Sequence, residues 1–299
     1  MSDEQRPCAP RPGPATAPGP RLRHRRNLII VRAGDRSLHR EWTAGEDRDF
    51  DLFVSYYGSK GTPWLYDGEY HEHRPGPKWP CLAELLAEQP ELIERYDAFW
   101  LPDDDISAST EVIDRMFALF HGFGLALAQP ALTRDSYYSW DFLLQRPECV
   151  LRHTRFVEVM VPIFGRGALR ACLPSFAESH SGWGLDWLWP HLCDDGRPER
   201  FAILDATPVR HTRPLGGELY RNNPALDPRR DEQRLLEKYG LGAVRVTGKY
   251  EAVTSAVRRV GLPISEQIWQ GLRRLNALRR ERRHRHSSPQ TPPPGRNPS

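Results

Sequence analysis

Tyr96-Asp97-Ala98-Phe99-Trp100-Leu101-Pro102-Asp103-Asp104-Asp105-Ile106 runs from an apolar segment straight into three consecutive carboxylates. At the end of a buried strand such carboxylates repel one another and are poorly solvated, which predicts a neutralising cation. A hard divalent ion, Mg²⁺ or Mn²⁺, takes oxygen ligands and keeps positions open for phosphates, so the run points towards a nucleotide-linked substrate. The alternative is a solvated acidic turn or a helix N-cap, because the Asp and Ser residues ahead of Thr110-Glu111-Val112-Ile113 also start a helix well.

Outward from this run, short apolar segments alternate with helical patterns. Residues 27–34, 50–57, 96–101 and 124–129 read as buried strands, and residues 81–88 and 109–120 as helices. That alternation predicts an α/β fold with a mostly parallel central sheet, whose ligands bind at the carboxyl ends of the strands. The Asp run lies at such an end. In the second half, residues 155–164 read as a strand, 166–173 as a short helix and 201–206 as a last buried strand; residues 230–240, 249–260 and 264–283 read as helices. No internal repeat is present. Nor is there a glycine-rich phosphate loop of the dinucleotide or Walker type, which argues against a dehydrogenase or a P-loop nucleotidase.

The 299 residues carry a net charge of +3, unevenly spread. Residues 1–26 and 284–299 are rich in Pro and Arg or His and poor in aliphatic residues, so both read as disordered tails. The tails are basic and the body acidic, and the charge is therefore no sign of a nucleic-acid-binding fold. The tails read as solvated, with at most weak contact to anionic surfaces. Cys8, Cys81, Cys149, Cys172 and Cys193 are widely spaced, which does not suggest a disulfide framework or a zinc site. No apolar run approaches the ~20 residues of a membrane span and no signal-peptide core is seen at the N-terminus, so the expected compartment is the cytoplasm.

Eight motifs occur in order: Leu38-His39-Arg40-Glu41-Trp42, Phe50-Asp51-Leu52, Lys78-Trp79-Pro80, Trp100 to Ile106, Gln129-Pro130-Ala131-Leu132, Phe156-Val157-Glu158-Val159-Met160, Ser181-Gly182-Trp183-Gly184-Leu185-Asp186 and Asp205-Ala206-Thr207-Pro208-Val209. Together they resemble the uncharacterised domain-of-unknown-function family 707 over residues 27–222 and, more distantly, glycosyltransferases of the GT-A fold. The resemblance implies a GT-A-like αβα domain over 27–222, a helical extension over 223–283, and transfer of a hexose-type sugar from a nucleotide-sugar to a glycan or small-molecule acceptor. A uridine-diphosphate sugar is the first donor it suggests.

By that resemblance Asp103 and Asp105 match an Asp-x-Asp metal motif, and His211, after the strand 201–206, matches a late histidine ligand. A mixed oxygen and nitrogen site suits Mn²⁺ slightly better than Mg²⁺. Asp104, facing away from its neighbours, would meet ribose or a sugar hydroxyl. Arg32, Gly34 and Asp35 would hold base and ribose, and Arg40 and Lys78 the diphosphate. Asp186 would be the general base, with Trp183 and Trp187 as platforms for the acceptor sugar. Similar enzymes often place a second acid beside the base, but Leu185 and Trp187 flank Asp186 here. Two other classes remain. A metal-dependent phosphotransferase or nuclease would need a second metal or a water-activating base near the triplet, and a noncatalytic carbohydrate- or nucleotide-sugar-binding module would bind without turnover.

Overall fold

The computed structural model describes residues 25–45, 47–60, 67–215, 227–241 and 252–258. The chain divides after Val257 into two units, and apart from Arg258 every described residue lies in the first. The second predicted tail, and the helix expected over 264–283, lie outside the described residues.

The first strands form where β-branched and aromatic residues run without interruption. β1 (Asn27–Ala33) and β2 (Phe50–Tyr56) are buried at every position, as strands covered on both faces must be. β1 pairs in parallel with β2 and with β4 (Ala98–Trp100), and β2 in parallel with β3 (Tyr70–His73). The sheet order is β10-β7-β9-β6-β8-β4-β1-β2-β3. Here β6 is Leu127–Leu132, β7 Cys149–Thr154, β8 Ile163–Gly165, β9 Phe201–His211 and β10 Val253–Arg258. The two-residue β5 (Ile106–Ser107) pairs with β9 off this path.

Strand directions decide where a site can form. β4 and β6 are both antiparallel to β8, so β6 runs the same way as β4; β9 is parallel to β6. β1, β2, β3, β4, β6 and β9 therefore share one direction and deliver their carboxyl ends to one edge, while β7 and β8 run against them. The fold is mixed α/β with a largely parallel central sheet, as expected. Strand order reverses between β1 and β4, which opens a crevice at their carboxyl ends.

Helices cover the sheet: α1 (His39–Trp42), α2 (Lys78–Glu88), α3 (Glu91–Arg95), α4 (Thr110–Gly122), α5 (Arg166–Phe176), α6 (Leu185–Leu192) and α7 (Pro228–Lys238). Ser109 caps α4, its Oγ accepting from Val112 N at 3.4 Å, so the Asp run is not that helix's cap. Among the described residues no helix is long and apolar enough to cross a membrane.

Three expectations are corrected. Residues 155–162 are not a strand but a buried irregular segment: Thr154 Oγ1 accepts from Phe156 N at 3.1 Å, and Glu158 N donates to the Gln129 side chain rather than to a neighbouring strand. Residues 253–258 are extended, not helical; only Val253 and Val257 are half-buried and the other four positions are exposed, as on an outer strand. Arg25 and Arg26, assigned to the N-terminal tail, pair with Asp51 at 3.0 Å and Asp97 at 2.8 Å. α7 and residues 253–257 fall in the first unit.

Candidate active site at the carboxyl edge of the sheet

Three separate segments hold the backbone of the acidic run. Asp103 N donates to Met160 O (2.7 Å), Asp104 O accepts from Leu38 N (2.7 Å), and Asp105 O accepts from Thr212 N (3.1 Å) and Thr212 Oγ1 (2.8 Å). The run is thus clamped between the loop after β1, the segment before β8 and the end of β9. The antiparallel pairing of Ile106 with His211 sets the last of these in register.

The side chains diverge as an extended segment requires. Asp104 turns into the β1/β4 crevice: its Oδ2 accepts from Gly34 N (2.8 Å) and from the Tyr57 hydroxyl (3.3 Å), and its Oδ1 pairs with Arg213 (2.9 Å). Burial raises the Asp104 pKa despite the Gly34 amide and Arg213. Asp103 pairs with Lys78 at 2.6 Å and Asp105 with His211 Nε2 at 3.2 Å. The triplet is therefore not an unneutralised cluster: each carboxylate has one cationic or imidazole partner. That reading failed because Lys78, Arg213 and His211 are remote in sequence.

Asp103, Asp105 and His211 each offer one ligand atom, all within 4.8 Å of one another. His211 Nδ1–H donates to Tyr137 O at 2.9 Å, which leaves Nε2 facing Asp105, to donate to it when protonated or to ligate a metal when not. Burial works to lower the His211 pKa but is outweighed by the Asp105 carboxylate, the Tyr137 carbonyl and the Asp103 charge, so the imidazole is held above its ordinary value. Two carboxylate oxygens and one such nitrogen are a donor set that fits Mn²⁺ or Mg²⁺.

A second acid does stand by Asp186, supplied from elsewhere in the chain. Asp186 O accepts from Val157 N at 3.1 Å, which binds the first turn of α6 to the segment carrying Glu158. Burial raises the pKa of both, and each carboxylate's charge is felt beyond itself: Glu158 raises Asp186, and Asp103 raises Glu158. The Glu158 carboxylate accepts from Ser139 Oγ, and the Glu158 backbone N–H donates to Gln129 Oε1 at 2.6 Å. No sequence spacing reveals this pair, because the two acids meet across a loop and a helix start.

Gly182 (φ 84°) and Gly184 (φ 90°) put left-handed turns ahead of Asp186. A Cβ on Gly182 would lie 2.5 Å from Trp79 Nε1, so the loop can approach α2 only with glycine there. Trp183 is 40 % exposed and can present a face to a ligand. Trp187 cannot. It is 4 % exposed and packs edge-to-face on Phe156 (4.7 Å) and Trp140 (6.4 Å), so the platform role expected of it is corrected to a core role. Trp140, Phe142, Ser139 and Arg146 line a cleft of about 480 Å³ beside this aromatic packing.

The residues expected to meet the nucleotide divide. Gly34 adjoins Asp104 as described, and Lys78 sits at Asp103, donating also to Val159 O at 2.9 Å. Asp35 accepts from the Tyr56 hydroxyl. Arg32 is a buried strut: Nη1 donates to Ser55 Oγ (2.6 Å) and Nη2 to the carbonyls of Arg74 and Gly76. These bonds hold Nη1 and Nη2 within the chain, while the buried Nε has no hydrogen-bond partner. Arg40 is held by Asp67 through two hydrogen bonds, at 2.6 and 3.2 Å. Tyr57 was overlooked. It is 42 % exposed, lies under the Arg32 guanidinium and crowds Gly34, whose added Cβ would meet its hydroxyl at 2.7 Å. An exposed aromatic directly after a buried strand was the available signal.

No family model matches the chain, and no curated protein sequence does. Solved structures resemble it loosely. TarS of S. aureus, residues 1–349 in complex with UDP-GlcNAc, has 10 % identity and a TM-score of 0.42 over 71 % of each chain. A candidate nucleotide-diphospho-sugar transferase from Desulfovibrio desulfuricans G20 has 15 % identity and a TM-score of 0.37 over 73 % of this chain and 97 % of its own. A197 from STIV has 13 % identity and a TM-score of 0.36 over 63 % and 86 %. Values this low carry no residue's role from those proteins to this one.

Proposed function

We propose that the chain is a metal-dependent glycosyltransferase that moves a sugar from a nucleotide-sugar donor to a carbohydrate or other hydroxyl acceptor. The observation that supports this best is the meeting of Asp103, Asp105 and His211 at the carboxyl edge, next to the β1/β4 crevice on one side and the Glu158–Asp186 pair on the other.

In this reading Asp103, Asp105 and His211 hold Mn²⁺ or Mg²⁺, which when bound neutralises the charge of a leaving diphosphate. Lys78 adds a cation beside Asp103 for the same charge. The crevice formed by Gly34, Asp35, Tyr57, Asp104 and Arg213 receives the nucleoside: Tyr57 offers a ring for stacking, and the Asp104 carboxylate accepts from a ribose hydroxyl. Asp186 takes the proton of the acceptor hydroxyl. Its raised pKa keeps it protonated until the pH rises through that value; once ionised it is a stronger base than an ordinary carboxylate, and beside Glu158 the two acids give up their protons in separate steps. Trp183 and the cleft of Trp140 and Phe142 would meet the acceptor's apolar face.

The experiment is calorimetry with a panel of nucleoside-diphosphate sugars with and without Mn²⁺, followed by transfer assays on any that bind. Mn²⁺-dependent binding of a uridine-diphosphate sugar is expected, and Asp186→Asn should then reduce transfer by about 10²–10⁴-fold with donor affinity nearly unchanged. Absence of Mn²⁺- or Mg²⁺-dependent binding across the panel would overturn the reading. Near-normal transfer by a folded Asp186→Asn variant would move the base to Glu158.

A further inference from the structure

We propose that Cys172 and Cys193 form a reversible dithiol–disulfide couple joining α5 to the end of α6. Their Sγ atoms lie 3.3 Å apart, in thiol–thiol hydrogen-bond contact, while a bond needs about 2.05 Å. Twenty-one residues separate the two cysteines, so neither a CxxC spacing nor any other sequence signal announces the pair. What brings them together is the aromatic packing of the two helices. Phe176 and Trp189 lie 5.7 Å apart, and Trp189 Nε1 donates to Ser175 Oγ at 3.2 Å. This fixes α5 against α6 in one register.

The two thiols have unequal surroundings, which sets the order of events. Cys172 is fully buried on α5 and its thiol reaches towards Trp189 O at 3.9 Å. Cys193 caps α6 and is only half-buried, with Ala168 O at 3.8 Å. Burial pushes the Cys172 thiol up, whereas the hydrogen bond from Cys172 and the Arg200 cation hold the Cys193 thiol below its ordinary value. Cys193 is therefore the attacking thiol and Cys172 the resolving one. Cys81 and Cys149 are buried on other elements, α2 and β7.

With glutathione disulfide as the oxidant, the Cys193 thiolate attacks one of its sulfurs, and one glutathione thiolate leaves. Cys172, losing its proton, then attacks Cys193 Sγ and expels the second glutathione thiolate. Two cysteine thiols are oxidised and one glutathione disulfide is reduced to two glutathione thiols, which take up the two protons. The product ties the C-terminal end of the helix whose first turn carries Asp186. This inference does not depend on the proposed reaction.

Native full-length protein equilibrated in glutathione redox buffers, quenched by acid and mapped by non-reducing peptide mass spectrometry, tests it. Expected is a Cys172–Cys193 linkage in wild type, a loss of two hydrogens in mass reversed by dithiothreitol, and a melting temperature higher on the order of 5–10 °C in the oxidised form. Cys172→Ala should instead trap glutathione on Cys193, and Cys193→Ser should take up none on Cys172. Wild type that accumulates the mixed disulfide at Cys193 without closing it, that stays fully reduced, or that links other cysteines would overturn the proposal. The wild-type map decides even if the buried Cys172→Ala variant unfolds.

Discussion

Two carboxylate sites of this molecule are both buried, yet only one is saturated. Asp205, on β9, is wholly enclosed with Arg152 of β7. Its Oδ1 accepts from Arg146 N (2.7 Å) and Arg152 Nη2 (3.0 Å), its Oδ2 from Arg152 Nε (2.8 Å), and the rest of the guanidinium donates to Phe142 O and Leu144 O. Every charged atom of that pair has a partner inside the chain. At the other end of the same strand, Asp103, Asp105 and His211 turn ligand atoms towards one another, and three carboxylates share Lys78, Arg213 and an imidazole. Burial with all partners supplied makes a strut, and burial with donor atoms converging makes a place for something else. Charge and burial alone do not tell them apart.

The largest test of this contrast lies in the strut. Arg152→Ala leaves Asp205 buried and unpaired, and Asp205→Ala does the same to Arg152, so each should cost about 3–5 kcal/mol. Asp103→Asn, at a half-buried position, should cost less than about 1 kcal/mol while removing metal affinity. Urea denaturation of the three variants measures both. If Asp103→Asn proved as damaging as Arg152→Ala, the open site would be another strut.

Metal binding gives the next effect in size. His211→Ala removes a ligand and should weaken Mn²⁺ binding by about 10²-fold, near 2.7 kcal/mol. The sign of the pH dependence follows from the raised imidazole value: below it His211 is protonated and cannot ligate, so wild-type Mn²⁺ affinity should fall as pH drops through that value. In His211→Ala that part of the pH dependence should vanish. Titration calorimetry at several pH values reads both, and an unchanged pH profile in the variant would exclude His211 from the metal site.

The contrast also explains what the sequence could disclose. Continuous apolar runs at residues 27–33 and 50–56 identified central strands, because a strand buried on both faces needs such a run. The acidic run was legible because three carboxylates after an apolar strand are expensive without partners. Its partners were not: Lys78, Arg213 and His211 arrive from a helix start, a loop and a strand end. Asp205, with Glu158 and Glu178, stood behind Asp186 as a candidate base, being a carboxylate in a late strand beside Ala206-Thr207-Pro208. Only the fold shows it consumed by Arg152. The β9 excursion that carries it falls where the β6 register shifts between Pro130 and Leu132, since Pro130 cannot donate to the ladder. Glu178 is likewise taken, by Lys238 (2.7 Å) and Tyr239 (2.9 Å). Patterns of apolarity are local and survive in one dimension, whereas pairing of charges is a property of the assembled edge.

The smallest expected effect separates the Glu158–Asp186 pair from both sites. Asp186 Oδ1 accepts from the adjacent Trp187 N at 2.9 Å, and burial with Glu158 nearby raises the Asp186 pKa well above the ordinary carboxylate range. An acid with a raised native pKa holds its proton in the folded chain at pH values where the unfolded chain, near pKa ~3.9, has lost it. The native state then binds more protons than the unfolded state, so stability falls as pH rises through this window. Asp186→Asn keeps an oxygen for the Trp187 amide and removes the titration. Its stability should therefore equal or exceed that of wild type at neutral pH by on the order of 1 kcal/mol, seen as a higher melting temperature, with the advantage shrinking towards pH 4. A cap or strut would behave oppositely, losing about 1 kcal/mol at every pH. Thermal melts of both proteins from pH 4 to 8 distinguish the two outcomes, and a pH-independent loss in Asp186→Asn would put Asp186 with Asp205 as structure.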